Sequence, residues 1–371
     1  MSQKMEKRMR IKIELGIGLS VLFTCVRVFA WTDLTGGDHG GSSWVITNGT
    51  YIASNHFNIG TVMIATGTTV YVKPYDGSKY GWVEISASNI TILGTLDASG
   101  AGYLGGNGGS GGSGSSGMSG GGLENGKPGV NGGIGSGVFG GSNGIAGFGG
   151  YDSHDGNMSS RFAGGGGVGS PGGYASVGGQ GDSTTNESLL MGSGGGGGGG
   201  GGAGWKAYYD SPTSGGGGGG AGNRGGGSVM LVASNMIMIR GFVLAKGFAS
   251  VAGNGSAGQT AGAPGVGGSG GSASSSGQSN GGAGGATVNG SCYGGAGGGK
   301  GGAGAGGGVL LKASVVDAVS GVINTLGGGG SVTNGGTLKI FSNEYQEGIF
   351  NTGRTYLRQI ALPEPGTVFE F

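Results

Sequence analysis

Few side chains in this sequence have the types and the spacing that catalysis needs. Asp152, His154 and Asp155 form its densest polar cluster, and two carboxylates beside an imidazole could bind a cation or transfer a proton. A solvated loop has the same composition, and we expect a loop here. His39, His56 and His154 all lie in loop-like sequence, and none has a metal-ligand spacing such as His-Glu-x-x-His.

Carboxylates elsewhere are too sparse to suggest an enzyme. Polysaccharide lyases and hydrolases built on β-helices need clustered carboxylates, or a basic residue close to one. In the internal repeats of the chain, Asp97 aligns with Leu244 and Asn324, so no acidic ladder is expected along one face. Residues 178–182 (GGQGD) only half match a calcium-binding Gly-Asp repeat, and the match does not recur. The sequence therefore predicts no catalytic, cofactor or metal site.

The two cysteines, Cys25 and Cys292, do not predict a disulfide. Cys25 lies in a segment that we expect to be removed on export, which leaves Cys292 alone. A single thiol forms neither an intrachain disulfide nor a zinc site. We therefore interpret Cys292 as a core or loop residue, with pairing between chains as the alternative.

Aromatic side chains are more promising contact groups. Trp205, Tyr208 and Tyr209 lie between glycine runs, where they would form either an exposed contact site or a buried staple. A second group lies further towards the N-terminus and consists of Trp31, Trp44, Tyr51, Phe57, Tyr71 and Tyr75. These rings either cap the end of a β-sheet stack or form a platform for carbohydrate, because flat aromatic faces stack on sugars.

A sequence unit that occurs three times, at 82–100, 228–247 and 309–327, organises the chain. Apolar residues alternate at every second position, with a one-residue slip at Ser88–Asn89 in the first copy, which indicates pleated strands rather than a helix. One coil cannot bury its apolar face alone, so the copies must stack. We therefore predict an all-β fold with a parallel β-helix or solenoid-like core. An antiparallel β-sandwich with long glycine-rich loops is the alternative.

Glycine accounts for 107 of the 371 residues and is concentrated in two insertions, residues 101–226 and 248–308. Gly/Ser tracts are flexible coil when nothing holds them, but glycine strands can also form polyproline-II-like helices with three residues per turn. Such helices could pack backbone to backbone and satisfy their own N–H and C=O groups. The insertions would begin and end on neighbouring coils, so we expect them to be ordered.

The remaining segments complete the predicted organisation. Residues 1–30 read as a secretory signal peptide, with a basic start, an apolar stretch and Ala30 at the expected cleavage site. The protein is therefore expected to be exported. The mature chain divides into an N-terminal cap with the first coils (31–100), the first insertion (101–226), a coil (227–247), the second insertion (248–308), terminal coils (309–343) and a C-terminal segment (344–371) with a hairpin-like region.

The charge of the chain argues against a nucleic-acid partner. The formal net charge of +1 arises in residues 1–30, which hold six of the 19 Lys and Arg residues and two of the 18 Asp and Glu residues. The rest of the chain carries 13 basic and 16 acidic residues, a net charge of −3, and has no basic cluster. Nucleic acids and anionic membranes select the opposite pattern.

The blocks WVEISASNITILGTLDASG, GGGVLLKAS and GGTLKIFSN resemble glycine-rich β-helical secreted proteins of environmental bacteria. The tail LPEPGT resembles the opening of a PEP-CTERM sorting signal, which in that family is followed by a transmembrane span and a basic cluster. The resemblance implies that Pro363, Glu364 and Pro365 would be recognised by a sortase-like envelope enzyme, often in bacteria that make exopolysaccharide. Residues 366–371 supply neither the span nor the basic cluster, so we expect either a truncated sequence or an inactive signal.

These features predict an exported structural protein or adhesin of the cell surface or extracellular matrix, without enzymatic activity and without a cofactor. Its expected partners are extracellular polysaccharide of an exopolysaccharide or biofilm matrix, further copies of the chain, and the envelope sorting machinery if the C-terminus is complete. A polysaccharide lyase or hydrolase on a β-helix is the first alternative. An ice- or surface-binding protein is the second, although the sequence has no regular threonine ladder.

Overall fold

The computed structural model describes residues 33–107, 109–110, 151–152, 161–162, 187, 189–195, 221–249 and 301–359. Most of the regular secondary structure in these ranges is β-strand, and a short 3₁₀ segment lies at Gly328–Gly330. Two further short strands, β9 (Tyr151–Asp152) and β10 (Arg161–Phe162), form a separate antiparallel pair.

Two parallel sheets account for the other strands. The first sheet has seven strands, in the spatial order β1 (Asp33–Leu34), β4 (Tyr51–Ile52), β6 (Thr69–Val72), β8 (Thr95–Asp97), β12 (Phe242–Leu244), β15 (Val322–Asn324) and β18 (Ile349–Asn351). The second has ten strands, of which seven follow the order β2 (Gly37–Asp38), β5 (Ser54–Ile64), β7 (Trp82–Ile92), β11 (Ser228–Ile239), β13 (Gly308–Lys312), β16 (Thr337–Ser342) and β19 (Arg354–Gln359). Beside this path, β3 (Trp44–Ile46) pairs with β5, β14 (Val315–Asp317) with β11, and β17 (Glu344–Gln346) with β14.

The chain alternates between the two sheets, so that each coil adds a long strand to the ten-stranded sheet and a short strand to the seven-stranded sheet. β7 leads into β8, β11 into β12, and the split strand β13–β14 into β15. Neighbouring coils pair in parallel throughout both sheets. The predicted all-β fold with a parallel, solenoid-like core is confirmed, and the antiparallel sandwich is wrong.

The three sequence copies stack in the register that their alignment predicts. Val229 of β11 lies between Val83 of β7 and Val309 of β13. The register of β7 and β11 shifts between Ala233 and Met236, as in a β-bulge. The predicted slip in the alternation is therefore an extra residue in one strand of the pair, and both halves of each long strand keep their apolar residues on the same side.

The core lies between the two sheets and consists of columns of inward-facing aliphatic side chains. One column runs through Ile85, Leu231, Leu311 and Ile340, each no more than 1% exposed. Their neighbours along each strand point the other way, because successive side chains of a strand alternate between its faces. The seven-stranded sheet supplies the facing columns, which include Val70, Leu96, Val243 and Ile323.

Four glycine-rich segments, residues 101–106, 191–195, 221–227 and 301–307, pack against one another to form what we call the glycine layer. Their backbones bond directly, with a spacing of three residues. On segment 221–227 the donor–acceptor pairs are Gly222–Gly106 and Gly225–Tyr103 on one side, and Asn223–Gly302 and Gly226–Ala305 on the other. Segment 191–195 is bonded in the same way, with the pairs Gly192–Gly226 and Gly195–Asn223. This spacing is that of polyproline-II-like helices, which have three residues per turn. Of the two alternatives for the insertions, flexible coil and packed glycine helices, these four segments follow the second.

Glycine is required in this layer because neighbouring backbones lie in direct contact. A Cβ atom at Gly225 would overlap the carbonyl of Gly192, and one at Gly304 would overlap the carbonyl of Arg224. The layer also joins the solenoid: the Gly307 amide donates to the Ala245 carbonyl at 2.6 Å. The four described segments of the insertions therefore extend the hydrogen-bonded stack sideways from the coils.

The C-terminal region differs from the prediction. Residues 344–362 were expected to contain a hairpin-like region, but β17, β18 and β19 each pair in parallel with a strand of the preceding coil. The hairpin prediction is wrong because Gly348 and Gly353 connect successive sides of one more coil rather than reversing the chain. No helix in the ranges that the structure describes is long and apolar enough to span a membrane.

Candidate functional site

The outer face of the seven-stranded sheet carries a continuous ladder of side chains, which we call the tyrosine face. It consists of one outward position on each of six strands: Tyr51, Tyr71, Asp97, Leu244, Asn324 and Asn351. The residues beside them in sequence point inward, since Ile52, Val70 and Leu96 are fully buried in the core. Parallel pairing thus fixes the order in which these side chains follow one another.

Two stacked rings form the start of this face. The ring centroids of Tyr51 and Tyr71 lie 5.3 Å apart, with an angle of 25° between the ring planes. Burial, followed by the neighbouring Tyr71 and Asp97, raises the pKa of the Tyr51 hydroxyl. Tyr51 therefore stays neutral at physiological pH and can both donate and accept a hydrogen bond.

Next to the tyrosines, the face opens into a groove with a volume of about 370 Å³. It is lined by residues of the ladder and of the turns that follow its strands, and by Gly327, Gly329 and Gly330. The polar side chains in its lining come from three strands and the turns after them: Asp97, Ser99, Lys246 and Asn324. Phe248 and Leu326 add apolar surface, so the groove combines hydrogen-bonding groups with apolar walls.

Local hydrogen bonds hold the polar groups of the groove in place. Asp97 Oδ1 accepts from the Ser99 amide at 2.8 Å, and Asn324 Oδ1 accepts from the Leu326 amide at 3.1 Å. Each bond closes a turn after its strand and fixes the side-chain rotamer. The carboxylate and the amide are therefore preorganised, and a carboxylate with two oxygens keeps further capacity to accept hydrogen bonds.

Among the six positions of the ladder Asp97 is the carboxylate, and Asp33 of β1 continues the same ladder beyond Tyr51, three strands away from Asp97. Asp97 lies beside Leu244, which in turn lies beside Asn324, as the sequence alignment predicts. Glycoside hydrolysis in its usual form needs two carboxyl groups on either side of the scissile bond. The ladder positions on either side of Asp97 are occupied by Tyr71 and Leu244.

The N-terminal end of the solenoid contains a second cluster, formed by His39, Trp44 and His56. His56 was expected in a loop, but it lies in β5 and is 1% exposed. The loop expectation is wrong because a β-bulge between His56 and Ile59 breaks the strand alternation. The Trp44 and His56 rings stack with centroids 4.6 Å apart, and His39 Nε2 lies 3.1 Å from His56 Nδ1.

The environment of His56 disfavours its charged form. Its Nε2 atom is buried and has no hydrogen-bond partner. Burial, with a smaller contribution from His39, lowers the pKa of His56 from 6.5 to about 4. The imidazole is therefore neutral at physiological pH, and we interpret the cluster as a cap on the core.

The N-terminal aromatic residues thus divide between the two roles that their sequence left open. Trp44 packs on the core beside His56, as a cap would. Tyr51 and Tyr71 stack on the outside, as a platform would. Tyr75 packs edge-on against Tyr103 of the glycine layer, with ring centroids 5.2 Å apart.

Several predicted residues lie outside the described residues. These are Trp205, Tyr208 and Tyr209, the motif Pro363, Glu364 and Pro365, the pair His154 and Asp155, the segment 178–182, and Cys25 and Cys292. Asp152 is described only as part of the strand β9. Across the ranges that the structure covers, no group of three or more His, Cys, Asp and Glu side chains could hold a metal ion.

No protein-family model, curated protein or solved structure matches this chain. Function is therefore inferred from the chemistry of the tyrosine face and its groove. Ser99 and Lys246 belong to this groove, although the sequence did not single them out. A signal for them was present, because both stand two residues after the aligned pair Asp97 and Leu244.

Proposed function

We propose that this protein is an exported, non-catalytic structural protein or adhesin that binds extracellular polysaccharide along the tyrosine face. The observation that carries the proposal is the stacked pair Tyr51 and Tyr71, which continues in register into the groove at Asp97. Surface location and association with a polysaccharide matrix are part of the same proposal.

The chemistry of the face suits a sugar chain. A pyranose ring has an apolar C–H face, which gains contact area on an aromatic ring, and a rim of hydroxyl groups, which need hydrogen-bond partners. Tyr51 and Tyr71 supply the rings, and Asp97, Ser99 and Asn324 supply the partners. Each coil adds one position to the ladder after one strand spacing, so the six strands offer a surface of about 24 Å along the stack.

Tyr71 and Leu244 flank Asp97 on the ladder, and Asp33 stands three strand spacings away, about 14 Å; this separation is wider than that of a glycosidase carboxyl pair and supports binding without cleavage. Export and envelope sorting rest on the sequence: the basic and apolar segments of residues 1–30 and the motif Pro363–Glu364–Pro365. We propose that these segments deliver the chain to the cell surface, where a rigid solenoid would serve as a matrix component.

Retention on a panel of bacterial and algal polysaccharides tests the proposal. The purified chain is expected to bind at least one polymer, and Tyr71→Ala is expected to weaken that binding about fivefold, since aromatic stacking contributes roughly 1 kcal/mol. Tyr356→Ala is the matched control, because Tyr356 lies on the terminal strand of the other sheet.

The same tubes are assayed for new reducing or unsaturated ends. Their release, lost on Asp97→Asn, would replace the binding proposal with the enzyme alternative. Equal loss of retention in Tyr71→Ala and Tyr356→Ala would place the binding surface elsewhere. If no polymer retains the chain, the polysaccharide proposal fails.

A further inference from the structure

The C-terminal end of the solenoid exposes apolar side chains that stand in core positions. Leu357 of β19 pairs with Ile340, the last member of a buried core column, yet Leu357 is 49% exposed. Tyr345 of β17 pairs with the buried Val316 and is 42% exposed. The core columns therefore run out to the terminal coil without being closed by a further layer of the described residues.

At the N-terminal end of the solenoid, the same two columns begin with residues whose shapes complement Leu357 and Tyr345. The column of Leu357 begins at Gly37, which pairs with His56, and a Cβ atom on Gly37 would have open space around it. The column of Tyr345 begins at Trp44, whose ring lies partly buried against the core. Each bulky side chain at the C-terminal end of a column therefore has a small residue or a flat ring at the N-terminal end of the same column.

The two ends of the solenoid also complement each other in their strand edges and in their charges. All strands at both ends belong to parallel ladders, so the outer edge of β18 or β19 can be continued by a strand that runs in the direction of β1 or β2. In the ten-stranded sheet, β2 carries Asp38 one residue after Gly37, and β19 carries Arg358 one residue after Leu357.

We propose that copies of this chain associate head to tail, with the first coil of one copy stacked on the last coil of the next. This interface buries Leu357 and Tyr345 and pairs the strand edges that no other described strand covers. It is heterologous, since the two surfaces differ, and repeated addition of copies produces an open filament rather than a closed dimer. The occupant of the exposed core end is therefore a second copy of the chain.

The register of the sheets predicts which residues meet across this interface. The column that contains Gln346 runs back through Asp317, Met238, Thr91 and Met63 to Val45. Continuation of the ladder places Gln346 of one copy beside Val45 of the next. Adjacent strands lie about 4.8 Å apart, which is within the Cα separation that a disulfide tolerates. Both residues are exposed in the single chain.

Disulfide formation between two variants tests this register. Gln346→Cys and Val45→Cys are made separately in the full chain with Cys25→Ser and Cys292→Ser, mixed, and oxidised. The mixed dimer is expected to form on the order of tenfold faster than with Val319→Cys in place of Gln346→Cys, because association raises the local thiol concentration. Val319 is the control because it is exposed on the preceding coil.

Other patterns of cross-linking overturn the proposal. Preferential pairing of Gln346→Cys with itself would indicate tail-to-tail dimers. Equal rates for the Gln346 and Val319 variants would indicate random collision, and would also be the result if residues 360–371 or another protein cover this end.

A second pair of variants keeps the test independent of cysteine chemistry. Sedimentation of the full chain is expected to show association that grows with concentration. Leu357→Glu is expected to abolish it, whereas Ile349→Glu is expected to retain it. Ile349 is 57% exposed on the same coil but faces outward from the seven-stranded sheet. A chain that remains monomeric at every concentration, or equal effects of the two variants, contradicts head-to-tail stacking.

Discussion

Gly225→Ala is expected to lower the free energy of unfolding by about 3 kcal/mol or more, the upper range for overpacking a tightly packed site. The new methyl group would overlap the carbonyl of Gly192, and a backbone cannot rotate away as a side chain can. The two segments would have to separate. That movement would break the bonds from the Gly192 amide to the Gly226 carbonyl and from the Gly195 amide to the Asn223 carbonyl, both at 2.8 Å.

Urea unfolding of Gly225→Ala and of the control Ala303→Ser measures this effect. Ala303 belongs to the same glycine layer and already carries a Cβ atom, in a partly exposed position, so its replacement is expected to change the stability by less than about 0.5 kcal/mol. Equal stabilities of Gly225→Ala and the unmodified chain would show that the layer does not contribute to folding in solution.

Acid is expected to destabilise the protein through His56. The pKa of His56 is 6.5 in its ordinary state and about 4 in the folded chain, so the unfolded chain binds the proton more tightly. Stability is fully present above pH 6.5 and falls as the pH drops from 6.5 towards 4. The pKa shift of His56 corresponds to a decrease of about 3 kcal/mol in the free energy of unfolding between pH 6.5 and pH 4. Asp38 and His39 are the titratable neighbours of the cluster.

His56→Leu is expected to remove most of this pH dependence, because leucine fills the buried site without a titratable group. Unfolding free energies at pH 7 and pH 4.5 are compared for the unmodified chain, His56→Leu and His39→Asn. His39→Asn should keep most of the slope, since burial is the larger cause of the pKa shift. If His56→Leu keeps the full slope between these pH values, protonation of His56 does not control stability.

The sequence predicted the coils well because the physics of a coil is local and repeats. A period of two and a closing glycine recur in each copy, and together with a shift in the alternation at the middle of the long strand they decide which side chains face the core. The alignment of Asp97 with Leu244 and Asn324 was also correct, because parallel stacking preserves register over many residues. The ordered backbone packing of the glycine layer follows from the need of every buried N–H group for a partner.

Other features depend on contacts between distant parts of the chain and were not predicted. Leu189 lies against Gly308, and Glu187 forms an ion pair with Lys312 at 2.8 Å. This segment of the first insertion thus lies on the outer face of the ten-stranded sheet, where Leu310 is fully buried. The local sequence does not indicate that this segment packs over the sheet. The burial of His56 was missed for a similar reason, since a β-bulge interrupts the alternation that would have marked it as a core residue.

The groove was missed because its lining comes from two sources. Asp97, Lys246 and Asn324 come from successive coils, but the opposite wall includes Gly327 and Gly330 at the start of an irregular segment. A repeat alignment places Asp97 and Asn324 in one row and Lys246 two residues beyond it, and it gives no information on the glycines. The stacked tyrosines were identified as candidate platform residues only because ring type, rather than position, suggested contact with sugars.

Hydroxyl-radical footprinting of the chain, alone and with the polysaccharide that retains it best, is the most direct test of binding along the tyrosine face. Oxidation of Tyr51, Tyr71 and Phe248 is expected to fall on binding, while oxidation of Tyr356 stays the same. Unchanged oxidation at Tyr51 and Tyr71, with protection confined to Trp205, Tyr208 and Tyr209, would contradict the account and move the binding surface to the first insertion.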